Sequence, residues 1–484
     1  MSAPSVLVVG GGTMGVGIAA ACAMGGYRTA ICDRSATLAK QAVADAQTRA
    51  ERLAEPGGRA VAPIVVAELA SGAARCTIAI EAVVEDFEVK LGVLRALADA
   101  VGPDALVATN TSSLSVAGLA RASGLGSRLV GVHFFQPADR SRLIEIVRGA
   151  TDEACVEQAR AFAASLGRAS IVVDDAPGFL VNRLARPLYL EAERMLDEGF
   201  DACAVDAILR GVGLPIGPLE VVDRVGLDVH DAVTRSVYQE LAVARLRPAP
   251  VVRRLLHAGR TGRKGGHGFH AYRDGRRVDP EPSLLPPPTI TGDSELSRRV
   301  QDRSTAEPAA APTLRLVTPA DVLGGRTHPD RDVVELPSPA GVLDPRLAGH
   351  VLAHCPFGSD ALEISVCSAA PQPPADRLLA AAHAAGMRAA VVPRRGGLVA
   401  HRVLAGFVNE GFLVLGEGYA DQEAVERAIT LALHHPHGPF GWVERFGGAG
   451  AVVATLDSLR ATAGAGYDAA PLLREHALLE EAAA

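Results

Sequence analysis

A chain of 484 residues exceeds what one ordinary core organises, so two to four domains are expected. Charged residues make up 21% and the formal net charge is -7, a mildly acidic balance without the footprint of a nucleic-acid or anionic-membrane binder. The opening "MSAPSVLVVGGG" runs from an apolar stretch straight into glycines, and no run approaches ~18 apolar residues, so neither a signal peptide nor a membrane span is expected. Seven scattered cysteines without a CxxC pair fit free thiols in the cytoplasm, with neither disulfides nor a metal site.

"SVLVVGGGTMGVGIAAACAMGGYRTAICD" reads as strand, glycine turn, helix, strand. Gly10, Gly12 and Gly15 form GxGxxG directly after the first strand, and Asp33 ends the next one about 20 residues on, as the dinucleotide fingerprint requires. Gly10 suits a tight turn, Gly12 close approach to a pyrophosphate and Gly15 helix–strand packing. The helix N-terminus offers unpaired N–H groups to phosphate. Asp33 is expected to accept from the adenosine ribose, which favours NAD over NADP.

Further strands at 76–83, 105–110, 128–135, 143–147 and 169–175 alternate with helices, giving a doubly wound α/β domain. Its strand ends carry Glu81 and Glu85, then Asn110 to Ser113, then His133, all toward one crevice. A histidine beside an apolar run more often fills space than does chemistry. Taken alone, His133 stays open between a packed ring and a base held by Glu145. Ser112 could likewise be a turn residue, and Asn182 a helix cap.

From 177 the apolar period becomes helical, and residues 280–312 read as a Pro-rich linker. The tail is an internal repeat: "GGLVAHRVLAGFVNEGFLVLGEGYAD" lies over "PGFLVNRLARPLYLEAERMLDEGFDA" at a constant shift of 219, pairing Arg402 with Arg183, Glu410 with Glu191 and His401 with Asn182. The repeat is expected to copy the last α/β portion and the helical domain without the nucleotide-binding front, and to pack on the first copy as a second subunit would.

With these residues placed, "GGGTMGVGIA", "IEAVVEDFEVK", "ATNTSSLS", "GVHFFQP", "LIEIV", "DDAPGFLVNRL", "GLPIGPLEVVDRVGLD" and "GRKGGHGFHAY" together resemble the L-3-hydroxyacyl-CoA dehydrogenase family. The degenerate tail resembles its longer bacterial members, including those associated with 3-hydroxyadipyl-CoA oxidation. The resemblance implies a catalytic His133 oriented by Glu145, with Ser112 on the reacting oxygen and Asn182 near the substrate carbonyl. It also implies NAD contacts from Thr13, Met14, Glu85, Lys90, Asn110, Gln136 and Lys264, beside the glycines and Asp33. Lys90 and Lys264 are two of only three lysines in the chain, the third being Lys40. Gln136 departs from the family's asparagine, and the segment between Asp33 and Cys76 is shorter than the family's helical hairpin. Arg140 and Arg142 are candidates for a distal carboxylate, but the favoured reading is that they are solvated or touch the CoA phosphates.

The expected architecture is a Rossmann-type sheet domain (1–176), an all-α domain (177–279), the linker (280–312), a partial α/β segment (313–394) and a degenerate second all-α domain (395–484). The expected activity is reversible NAD-dependent oxidation of an L-3-hydroxyacyl thioester, as in fatty-acid β-oxidation. The alternatives are a dehydrogenase of a carrier-bound acyl group or a non-catalytic NAD-binding protein. Expected partners are an acyl-CoA or acyl-carrier thioester, in a monomer with an internal pseudo-dimer or a homodimer.

Overall fold

The computed structural model describes residues 5–54, 60–278, 289–292, 294–303, 313–329, 332–367, 370 and 372–483. They form two compact units, Met1–Arg183 with Gly418–Leu433, and Leu184–Glu417 with His434–Ala484.

In the first unit the chain runs through β1 (Ser5–Val9), α1 (Thr13–Met24), β2 (Arg28–Cys32), α2 (Ala36–Leu53), β3 (Ile64–Val66), α3 (Leu69–Ala73), β4 (Ile78–Glu81) and α4 (Phe87–Ala100). It continues with β5 (Leu106–Thr109), α5 (Val116–Ser123), β6 (Leu129–Phe134), β7 (Leu143–Arg148), α6 (Glu153–Ser165), β8 (Ala169–Asp174) and the start of α7 (Phe179–Asp197). The strands make one sheet in the order β3-β2-β1-β4-β5-β6-β7-β8. All pairs are parallel except β6–β7, whose register sets His133 directly opposite Glu145. Val6 to Val9 are buried to 3% exposure or less, as a central strand covered on both faces demands. Each such side chain contributes about 1.5–3 kcal/mol of burial. Helix α1 is built from small residues and is buried continuously from Gly15 to Ala23, so it lies close against the sheet.

The second unit takes the rest of α7, then α8 (Ala202–Gly211), α9 (Pro218–Val225), α10 (Leu227–Leu241), α11 (Pro250–His257) and the hairpin β9 (Ala271–Arg273) and β10 (Arg276–Val278). A six-stranded sheet follows: β11 (Thr289–Thr291), β12 (Thr313–Val317), β13 (Asp332–Glu335), β14 (Val351–His354), β15 (Ala361–Val366) and β16 (Arg388–Pro393). Its helices are α12 (Glu295–Arg303), α13 (Pro319–Leu323) and α14 (Gln372–Ala384). The chain ends in α15 (Ala400–Gly416), α16 (Gln422–Ala432), α17 (Pro439–Phe446), α18 (Ala449–Ala463) and α19 (Pro471–Ala483).

Two expectations change. The stretch expected as a linker contains β11 and α12, and β11 pairs parallel with β12 as the edge of the second sheet. The second sheet therefore reproduces the order of β1, β4, β5, β6, β7 and β8, with its only antiparallel pair, β14–β15, where the first has β6–β7. Gly292 after β11 has φ +138, as Gly10 after β1 has φ +117. The nucleotide-binding front is thus reduced rather than missing, with no counterpart to β2 and β3 among the described residues. Three-residue strands between prolines give too short a period to read.

The second change concerns the boundaries. Helix α16 lies in the second helical copy by sequence, yet it belongs to the first unit and packs on β7 and β8. Tyr419 just before it donates to the Asp174 carbonyl at 2.6 Å. Its counterpart α8, from the first helical copy, packs on β15 and β16 in the second unit. A Cβ on Gly211 there would stand 2.8 Å from the Ala361 Cβ, so only glycine permits that approach. Each copy covers the sheet edge of the other.

Candidate active site

The glycine loop fits a dinucleotide on steric grounds. A Cβ on Gly10 would stand 2.5 Å from the Ala82 carbonyl oxygen, and one on Gly15 would stand 1.8 Å from the Gly10 carbonyl oxygen. A Cβ on Gly12 would meet nothing within 4 Å, so its absence leaves the approach to the backbone open. Gly12 caps α1 without a side-chain hydrogen bond, leaving first-turn N–H groups, beginning at the exposed Thr13 and half-buried Met14, to receive phosphate. Asp33 accepts from the Gly11 N–H at 2.7 Å and so braces the loop.

At the sheet's carboxyl end, His133 and Glu145 are 6% and 0% exposed, with Nδ1 and Oε2 2.7 Å apart. The second carboxylate oxygen of Glu145 accepts from the Leu180 N–H at 3.0 Å and the Val181 N–H at 2.8 Å, in the first turn of α7. Gly178 and Phe179, at φ +78 and +51, make the turn that aims those amides at it. The helix end stabilises the negative charge. With Nδ1 donating to Glu145, Nε2 carries the lone pair, and the Phe135 and Phe179 rings, 4.6 and 5.7 Å away, wall the imidazole.

Ser112 follows β5. Glu85 accepts from the Thr111 hydroxyl at 2.7 Å, the Ser112 N–H and hydroxyl at 2.8 and 3.2 Å, and the Ser113 N–H and hydroxyl at 2.9 and 3.0 Å. Burial opposes the Glu85 charge, but Lys90 and these donors outweigh it and hold its carboxyl down to about 2. The Asn182 side-chain amide donates to the Ser112 carbonyl at 3.4 Å, so Ser112 and Asn182 sit together.

Several expected cofactor contacts have other partners. Lys90 is 1% exposed and lies between Glu81, at 2.9 and 3.1 Å, and Glu85, at 3.2 Å. It is a buried counter-charge that holds Glu85 under Ser112, which explains a compact ammonium at this position. The Asn110 side-chain oxygen Oδ1 accepts from the Phe134 N–H at 2.9 Å and ties β5 to β6. Gln136 is exposed. Lys264 belongs to the second unit and pairs with Asp228 at 2.6 Å. The roles of the Leu180 and Val181 amides were invisible in the sequence, since backbone donors have no residue signature. Of the arginines between Asp33 and Cys76, Arg59 lies outside the described residues. Among the described residues no cluster of metal-ligating side chains occurs, and no helix is long and apolar enough to cross a membrane.

The chain matches the family model described as 3-hydroxyacyl-CoA dehydrogenase, NAD binding domain, over residues 5–176. The C-terminal-domain model of the same family matches twice, over 178–272 and 397–482, so the repeat is one of that domain. The chain is 30% identical to 3-hydroxyadipyl-CoA dehydrogenase of Escherichia coli over 98% of both chains. It is 36% identical to 3-hydroxybutyryl-CoA dehydrogenase of Bradyrhizobium diazoefficiens over 56% of this chain and 96% of that one. The crystal structure of 3-hydroxybutyryl-CoA dehydrogenase from Escherichia coli K12 superposes with a TM-score of 0.76 at 26% identity, covering 100% of both chains.

Proposed function

The chain belongs to the 3-hydroxyacyl-CoA dehydrogenase family of NAD-dependent oxidoreductases, and from that premise we propose that His133 is the general base of its reaction. The observation that carries this is the pairing of His133 with a Glu145 whose other oxygen is occupied by two helix amides. That carboxylate fixes the imidazole with Nε2 free and stabilises imidazolium as it forms. In the oxidative direction Nε2 takes the hydroxyl proton of an L-3-hydroxyacyl thioester. Bound NAD supplies the hydride acceptor. Ser112, held by Glu85 through its N–H, turns its hydroxyl from Glu85 to donate to the reacting oxygen, and Asn182 holds the thioester carbonyl; such prearranged donors carry much of the rate. In the reductive direction imidazolium returns the proton.

The substrate we favour is an acyl-CoA, in keeping with the names of the relatives. The second helical copy stands in for a partner subunit, as the crossed placement of α8 and α16 supports. Seven free thiols favour the cytoplasm.

The test is NADH oxidation with acetoacetyl-CoA and with 3-oxoadipyl-CoA, each repeated with NADPH. Turnover with NADH is expected, and the ratio of the two thioesters reports whether a distal carboxylate is read. His133→Gln should keep NADH binding and lower kcat by about 10²–10⁴. Equal turnover by that variant would remove His133 from the mechanism.

A further inference from the structure

The second copy keeps more than a fold. His354 lies opposite Glu363 across β14–β15, as His133 lies opposite Glu145 across β6–β7. Glu363 accepts from the Ala400 N–H at 2.8 Å, with Val399 as its other backbone donor, matching the Val181 and Leu180 amides on Glu145. Even the turn is kept: Gly397 and Leu398 have φ +74 and +50, against +78 and +51 at Gly178 and Phe179. Ser338 is the third residue past the end of β13, where Ser112 is the third past β5. His401 stands at the Asn182 position. All four polar positions of the first site are therefore polar in the second.

These groups are not packed as inert filler. Glu363 Oε2, His354 Nε2 and His401 Nδ1 are buried without a hydrogen-bond partner. The imidazole rings of His354 and His401 are 5.2 Å apart. A buried polar atom without a partner is costly, so three at one place call for an explanation. His401, 8% exposed, lines an open groove of about 250 Å³ that runs past Ser338, Phe446, Ala454, Thr455 and Ser458. None of the described residues that line it is charged, so it suits a neutral ligand with a carbonyl or hydroxyl on a short apolar chain. Its volume admits the acyl end of a thioester and excludes a nucleotide. Among the described residues the second sheet has no counterpart to β2, β3 or Asp33.

We propose that the second copy is a binding site for the neutral 3-hydroxyacyl or 3-oxoacyl end of a thioester, held by Ser338 and His401 without a cofactor and without turnover. It rests on the thioester reading of the first site and adds a second binding position to the chain. Occupancy would be reported to the chain through the Phe357 ring, which stacks on His401 at 4.3 Å and touches Trp442 at 5.4 Å.

Trp442 is the only tryptophan, and Phe357 lies between it and His401, so its emission is the probe of this groove. The full-length protein, free of NAD, is titrated with the N-acetylcysteamine thioester of 3-hydroxybutyrate, and calorimetry counts the sites. A saturable change in emission is expected in the wild type and in His133→Gln, with two molecules bound per chain. Ala454 is exposed on α18, so Ala454→Leu fills the groove without touching the core. It should weaken the emission titration by at least about tenfold and leave one molecule per chain, with NADH turnover unchanged. One molecule per chain in the wild type without a change in emission, or the same titration in Ala454→Leu, would overturn the proposal. Loss of turnover on acetoacetyl-CoA in the wild type, with the groove still binding, would count against the first-site reading instead.

Discussion

The residue with the widest influence on the first site is Glu85. One carboxylate gathers five donors from Thr111, Ser112 and Ser113, and Lys90 beneath it keeps it charged. Its carboxyl is held from 4.5 down to about 2 in the folded chain, so between those values the unfolded chain binds more protons. The stability it brings is complete above pH 4.5 and is lost as the pH falls toward 2. Glu85→Gln should flatten that acid limb, measured as urea midpoints across a pH series, and should lower kcat/KM by releasing Ser112. An acid limb as steep as the wild type's would show that the carboxylate is not what sets it. The sequence reading gives both Glu85 and Lys90 to the cofactor, and the fold pairs Lys90 with two carboxylates. A motif match names positions; only the fold shows that the Lys90 ammonium is spent on Glu81 and Glu85.

At the scale of elements, the first βαβ unit was legible because its requirements are steric and local. The continuous apolar run, the glycines and the acid at the next strand end leave one arrangement. Gly15 makes the point quantitatively, since a Cβ there would overlap the Gly10 carbonyl oxygen. Gly15→Ala should push α1 off the sheet, costing about 1–3 kcal/mol of stability, with weaker NADH binding alongside; calorimetric unfolding and a fluorescence titration would check both. A variant that binds NADH as the wild type does would mean the helix shifts without disturbing the phosphate loop. The exchange of α8 and α16 was not legible. Both helices are amphipathic, and an apolar face announces that it is covered without saying by which sheet. The His354–Glu363 correspondence escaped as well, because the loop between those strands is shorter than in the first copy and breaks the spacing.

Across the whole molecule, the repeat is expressed in the packing of the second unit. Arg402, the counterpart of Arg183, reaches from the second helical copy to the first, donating to Glu191 and, at 2.6 Å, to Glu198, with Tyr467 donating to Glu191 at 2.6 Å. Arg245 in turn reaches Glu410, the counterpart of Glu191, at 2.6 Å. Burial opposes the Glu191 charge, yet Arg402 and Arg194 keep its carboxyl below the ordinary range. Arg402→Ala would leave that buried carboxylate with Arg194 as its remaining ion-pair partner and should cost about 3 kcal/mol, read from urea unfolding. Arg402→Ala combined with Glu191→Gln should recover much of the loss, and equal instability of the double variant would place the cost in packing instead.

The crossed helices have a consequence for dilution. Two separate chains that cover each other's sheets come apart as their concentration falls, and their melting temperature falls with it. Here both coverings are written on one strand of polypeptide, so each sheet meets its covering helix at a fixed effective concentration set by the chain between them. The melting temperature should therefore hold steady over a hundredfold dilution, about two decades of concentration. The arrangement also frees the two copies from being identical. In a dimer of equal chains every substitution appears twice, whereas here the two copies differ: among the described residues the second sheet has no counterpart to β2 and β3.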